Sequence, residues 1–146
     1  MIEGDELAFK IREFQYPQDY PAVSALWEAS GPGVIPGRSD TPEETQKKLG
    51  RDPDLFLVAE VDDHIVGTVL GGFDGRRGLV YHLAVAKEYR GRGLGDSLMN
   101  EVESRLKEKG CIRAYLLIAH DNGSVVDFYK RRDWETMNLT IMAKDL

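Results

Sequence analysis

From Arg90 to Gly95 the chain reads Arg-Gly-Arg-Gly-Leu-Gly, and this run sits where the hydrophobic period changes. Before it, Leu79–Val85 (LVYHLAV) has the apolar density of a buried strand. After it, Leu94, Leu98, Val102 and Leu106 recur every four residues, with Met99 beside them and charges on the other face. That spacing predicts a helix ending at Gly110. Glycines at 91, 93 and 95 allow positive φ and let a ligand approach the backbone with no Cβ in the way. The helix that begins near Gly93 turns its unpaired N–H groups and positive dipole end toward the loop. Together they make an anion site suited to a phosphate or pyrophosphate.

Charge makes that site local. Lys and Arg number 19 against 25 Asp and Glu, a formal net charge of -6, so no broad basic surface for nucleic acid is expected. Arg90 and Arg92 supply positive charge beside the glycines instead. The overall negative field favours cationic acceptors. A chain of 146 residues is the size of one domain, here residues 1–146. One cysteine, Cys111, rules out an internal disulfide, and three scattered histidines suggest no metal site. The first residues, MIEGDELAFKIR, lack the apolar run of a signal peptide. No stretch approaches 18 consecutive apolar residues. A cytoplasmic protein is expected.

The remaining pattern is mixed α/β. Lys10–Phe14 is read as a strand, Tyr20–Ala29 as an amphipathic helix, and Ser30–Asp40 as a loop by its Gly and Pro content. Thr41-Pro42-Glu43-Glu44 has the form of a capped helix start, for a helix ending near Gly50. Leu55–Val61 and Ile65–Gly72 form a hairpin about Asp62-Asp63, and Leu79–Val85 follows. Ala114–Ala119 is a strand, Ser124–Arg131 a short helix capped by Asn122, and Leu139–Ala143 a closing strand. Glu101 with Arg105 and Glu103 with Lys107 are favourable i,i+4 pairs. The expected architecture is a single-domain α/β fold: a central mixed, mostly antiparallel sheet flanked by about four helices.

Two nucleotide readings of the loop fail. A dinucleotide fingerprint from Gly91 needs glycine where Asp96 stands, and Tyr115 occupies the place of the acidic ribose ligand. The P-loop's Gly-Lys-Ser/Thr is absent. The run Arg90-Gly91-Arg92-Gly93-Leu94-Gly95, preceded by Leu83-Ala84-Val85, resembles the acetyl-CoA-binding motif of the GNAT superfamily of N-acetyltransferases. Asn122 and Tyr129 have the spacing of a second motif of that family, and the order of elements is similar over nearly the whole chain. Phe56 to Gly78 is similar to small bacterial members of the YpeA type. Where the family usually has Leu-Gly after the Tyr, this chain has Arg132-Asp133, so an atypical end to the last helix is expected.

The resemblance implies direct attack of a primary amine on the acetyl-CoA thioester. Leu83, Ala84 and Val85 would hold the pantetheine arm by main-chain bonds, and the Leu83 amide would polarise the carbonyl. Arg90, Gly91, Arg92, Gly93, Leu94 and Gly95 would hold the phosphates, with Asn122 also on the cofactor. Tyr129 would protonate the leaving sulfur. Many members carry a Glu base on the strands flanking the glycine helix, but LVYHLAV and AYLLIA have no carboxylate. His82 remains as a candidate base, with imidazole's ordinary pKa near 6.5. Strand alternation puts His82 and Tyr81 on opposite faces unless a bulge intervenes. The loop Ser30–Arg38 would overhang the acceptor site. The acceptor is a small-molecule or peptide amine, no membrane partner is implied, and a homodimer is left open. A different class of reading, an acetyl-CoA-binding sensor with little turnover, shares the same cofactor residues.

Overall fold

Alternation decides the two faces of the sheet. In β2 (Phe56–Val61), Leu57, Ala59 and Val61 join one buried cluster while Phe56 and Val58 join another. Side chains two apart share a face of a strand, so a strand buried on both faces reads as a continuous apolar run. β3 (His64–Phe73) follows through Asp62 and Asp63, both at positive φ (50° and 65°), as a tight hairpin turn requires. Among the described residues five strands lie in chain order. β1 (Lys10–Glu13), β2, β3 and β4 (Gly78–Val85) are antiparallel, and β5 (Ala114–Leu116) runs parallel to β4. The molecule is a computed structural model that describes residues 7–31, 34–119 and 125–146.

A helix covers each face. α1 (Tyr20–Glu28) buries Val23, Leu26 and Trp27 against Phe14, Phe56, Val58 and Leu70. α3 (Leu94–Glu108) buries Leu94, Leu98, Met99, Val102 and Leu106 against Leu57, Val69 and Val80 on the other face. Its approach to β3 is close enough that a Cβ at Gly71 would lie 2.8 Å from Val102 Cγ2. Glycine at that position is therefore a packing requirement. α2 (Pro42–Arg51) starts as the sequence predicts, with the Glu44 amide donating to Thr41 Oγ1 at 3.2 Å. The mixed, mostly antiparallel sheet with four helices agrees with the fold class read from the sequence.

Three details differ from expectation. β5 ends at Leu116 instead of Ala119, and Leu117 is exposed. The closing strand at Leu139–Ala143 does not form, and Leu139, Ile141 and Met142 are exposed. A period-two pattern confers strand propensity, but a strand also needs a paired edge, and β5 is only three residues long. Glu103 does not pair with Lys107. It accepts instead from Arg132 at 3.3 Å and from Trp134 Nε1 at 3.0 Å. Glu101 and Arg105 do pair, at 2.8 Å.

The last helix ends in the unusual way its sequence foretells. α4 (Val126–Lys130) runs into Asp133, which has φ +69°. The Asp133 amide donates to the Lys130 carbonyl at 3.1 Å and the Trp134 amide to the Tyr129 carbonyl at 3.0 Å. These are the two bonds of a Schellman motif, with aspartate in the left-handed position that glycine normally takes. Trp134 packs edge-on to Tyr129, ring centroids 6.2 Å apart. Arg132 ties the turn to α3 through Asp96 (3.0 Å), Asn100 (2.7 Å) and Glu103. Aspartate at positive φ carries a strain of roughly 1–2 kcal/mol, and this charged anchor opposes it.

Candidate functional site

The centre of the site is an irregularity in β4. Thr68 pairs with Ala84 and Leu70 with Tyr81, so His82 and Leu83 together face the single residue Val69. His82 is the extra residue and has φ +52°. A two-against-one bulge bends the strand and re-aims side chains. Tyr81 and His82 accordingly line the same cavity, the case in which a bulge overrides the alternation that would otherwise separate them. The bulge is pinned from α1: Trp27 Nε1 donates to Thr68 Oγ1 at 2.9 Å, and Thr68 Oγ1 donates to the His82 carbonyl at 2.9 Å. Thr68 is fully buried, so both bonds are shielded from water.

Past the bulge, β4 loses its second neighbour. β5 pairs with Gly78, Leu79 and Val80 only. Toward β5, the main chain from Tyr81 to Val85 has no partner strand among the described residues. Leu83 and Val85 are half-buried against the α3-side core, so their side chains fix the strand while its edge stays available. This edge leads directly into the glycine loop.

In that loop Gly91 and Gly93 have φ +76° and +88°, a region other residues enter only with strain. A Cβ added at either would meet nothing within 4 Å, so the space beside both α-carbons is open. Gly93 is the N-cap of α3 and no side chain caps the helix, which leaves its first N–H groups directed into the loop. Arg90 Nε donates to the Val85 carbonyl at 2.9 Å, bracing the loop against the end of β4. Arg92 lies over the Tyr89 ring at 5.9 Å. Free N–H groups, two left-handed glycines and two arginines suit a phosphate-bearing ligand.

α4 closes this side. Phe128 lies against Gly95, where a Cβ would come 3.5 Å from its ring, and Phe128 meets Tyr129 edge-to-face at 5.0 Å. Burial pushes the Tyr129 phenol up to about 12, with Arg132 partly opposing the shift. Asn122, named in the sequence as a cofactor ligand and helix cap, lies outside the described residues, as does His120.

On the other side of β4 is a cavity of about 320 Å³. Trp27, Phe56 and Leu70 form an apolar floor, and Ile35, Gly37 and Arg38 come from the loop expected to overhang an acceptor. His82 Nε2 and Asp40 Oδ1 are 3.0 Å apart. An ionised carboxylate only accepts, so this contact places a proton on Nε2, and Nδ1 has no hydrogen-bond partner among the described residues. Asp40 is itself fixed: its Oδ2 accepts from the Gly37 amide at 2.8 Å, and its carbonyl accepts from the Tyr20 hydroxyl at 2.7 Å. Burial, then the charges of Asp40 and Asp52, push the Tyr81 phenol up to about 12. Asp40 was not identified from sequence. It lies 42 residues before His82, and its only local signature is that of a residue ahead of the helix cap Thr41.

The sequence model of the Acetyltransferase (GNAT) family matches residues 20–134. A protein named acetyltransferase from Pectobacterium atrosepticum is 39% identical over 137 residues, covering 94% of this chain and 95% of its own. An uncharacterized N-acetyltransferase of Yersinia pestis is equally similar, 39% with the same coverage. Among solved structures, Ard1 from Thermoplasma volcanium superimposes with a TM-score of 0.75 at 25% identity, covering 94% of this chain and 86% of that one. The PaiA N-acetyltransferase of Thermoplasma acidophilum, solved in complex with coenzyme A, gives 0.78 at 18% identity, over 92% and 94%. The chain thus belongs to the GNAT acetyltransferase family. No helix among the described residues is long and apolar enough to cross a membrane.

Proposed function

We propose that the protein is an N-acetyltransferase that moves the acetyl group of acetyl-CoA to a primary amine, in the cytoplasm. One observation carries this reading: the unpaired edge of β4 from Tyr81 to Val85 lies between an open glycine cradle and a cavity holding a fixed His–Asp pair. The relative solved with coenzyme A supports the choice of cofactor.

The cofactor supplies an activated acetyl thioester. The main-chain groups of Leu83, Ala84 and Val85 would hold its arm, and residues Arg90 to Gly95 with the start of α3 its phosphates. Asp40 orients the His82 ring, and Nδ1 accepts the proton that an amine must lose to become nucleophilic. This assigns a base where the neighbouring strands lack a carboxylate. Tyr129 keeps its proton at Oη. With a pKa of about 12 it exceeds an ordinary thiol near 8.5, so it acts by donating a hydrogen bond to charge growing on sulfur. Trp27, Phe56 and the loop from Ile35 to Arg38 line the amine side.

The test is a thiol-release assay over a panel of amines with a CoA titration in parallel. Release with at least one amine, lost in His82→Gln while CoA binding remains, supports the proposal. Tight CoA binding with no release from any amine favours the sensor reading.

A further inference from the structure

The cavity beside His82 carries a charge pattern that acetyl transfer by itself does not require. Its charged lining is Arg38, Lys48 and Asp40, two cations and one carboxylate, in a chain of net charge -6. Both Asp40 oxygens are engaged by the protein, Oδ1 by His82 and Oδ2 by the Gly37 amide. Lys48 is placed differently. Its ammonium has three donors, of which one goes to Asp52 Oδ2 at 3.0 Å and one to the Gly71 carbonyl. Asp52 is buried and is not among the lining residues, whereas Lys48 is, and Lys48 Nζ lies 5.9 Å from the centroid of the Tyr81 ring, which also lines the cavity. The Lys48 side chain is only 16% exposed, and a charge so shielded from water interacts more strongly than one on the surface. Burial lowers its pKa from the ordinary lysine value while Asp52 opposes the shift. An arriving anion would favour the charged form. Arg38 stands at the rim, and its partner Asp145, at 3.0 Å, is as exposed as it is. Such a surface pair holds little energy and exchanges readily for a ligand.

We infer that the amine acceptor of this cavity also carries a carboxylate, which Lys48 holds while the amine lies against His82. The acceptor class is a small amino acid whose apolar side chain rests on Trp27, Phe56 and Leu70. The inference rests on the acetyltransferase reading and reverses the expectation, from net charge alone, of cationic acceptors. A carboxylate suits a site with one lysine donor left and one rim arginine, whereas a phosphate has more oxygens than these donors serve.

The experiment compares kcat/KM for thiol release in the wild-type protein with an apolar amino acid, its amide and its decarboxylated amine. Spermidine and an amine bearing a phosphate complete the panel, and all are compared at equal concentrations of neutral amine. The amino acid is expected to exceed its amide by about tenfold to a hundredfold, the worth of one charged hydrogen bond in a shielded site. In Lys48→Met that ratio should fall to near one, and Lys48→Arg should restore part of it. Equal or better turnover of the amide, of spermidine or of the phosphate-bearing amine overturns the inference. So does a ratio that survives in folded Lys48→Met. If Lys48→Met does not fold, the wild-type ratio decides. Failure of the underlying reading looks different, with CoA bound and no release from any acceptor.

Discussion

The two sides of β4 beyond its bulge are constructed by different means. The cradle side is made of backbone drawn from one stretch, Tyr81 to Ser97: an unpaired strand edge, two left-handed glycines and the uncapped start of α3. The cavity side is made of side chains drawn from α1, the loop after it, α2, β2, β3 and β4, which meet only when the sheet is folded. Backbone sites tolerate most side-chain changes and fail when φ or open space is lost. Side-chain sites fail one functional group at a time. Affinity for the cofactor and turnover of the amine should therefore respond to separate sets of substitutions.

The largest effect should come from His82→Gln, which keeps a polar side chain but removes the proton acceptor. kcat/KM should fall about 10²-fold or more, the usual worth of a positioned base, with CoA affinity retained. Asp40→Asn, which leaves the ring in place with the wrong tautomer favoured, should produce a smaller loss of kcat/KM, again with CoA affinity retained. Tyr129→Phe should lower kcat by about 10²-fold through loss of one donor at the reacting sulfur, leaving the KM for acetyl-CoA little changed.

Gly93→Val attacks the other side. A β-branched residue at φ +88° is strained by roughly 1–2 kcal/mol and brings methyl groups into the open cradle. CoA affinity measured by calorimetry should weaken about tenfold or more, while the circular dichroism of the fold is unchanged. A Gly93→Val protein that binds CoA normally would break the division between the two sides.

Arg132→Met tests the link between α4 and α3. It removes bonds to Asp96, Asn100 and Glu103 and leaves three acceptors to water, for a loss of about 1–3 kcal/mol seen as a lower Tm. The smallest effect concerns alkaline pH. Tyr81 and Tyr129 hold their protons to about 12 in the folded chain, against 10 when exposed. Their contribution to stability is full below pH 10 and is lost as pH rises toward 12. Ultraviolet titration should show two phenols ionising near 12, one fewer in Tyr81→Phe, with Tyr20 also raised above the ordinary value by burial.

The same division explains what the sequence disclosed. The cradle is contiguous, so Arg90 to Gly95 revealed it, and the period-four run after it placed α3 within two residues of its end. The hairpin at Asp62-Asp63 and the Thr41 cap were legible for the same reason, since each is a local backbone requirement written in local residues. Asp40, Lys48 and Trp27 carry no such signature. Their roles come from distances across the sheet that no spacing encodes. The bulge at His82 was also hidden, because histidine is not a residue that φ +52° demands. The tail pattern at Leu139–Ala143 misled in the opposite direction, giving strand propensity to a segment that pairs with no strand and stays exposed.

Amide hydrogen exchange with CoA alone, and then with an acceptor amine alone, tests the two-sided account most directly. CoA should slow exchange at Leu83, Val85 and the first residues of α3, and leave Asp40 to Lys48 unaffected. The amine should protect the loop at Gly37–Asp40 and the start of α2 without protecting the glycine loop. Protection by CoA across Asp40–Lys48, or its absence at Leu83 and Val85, would contradict the account.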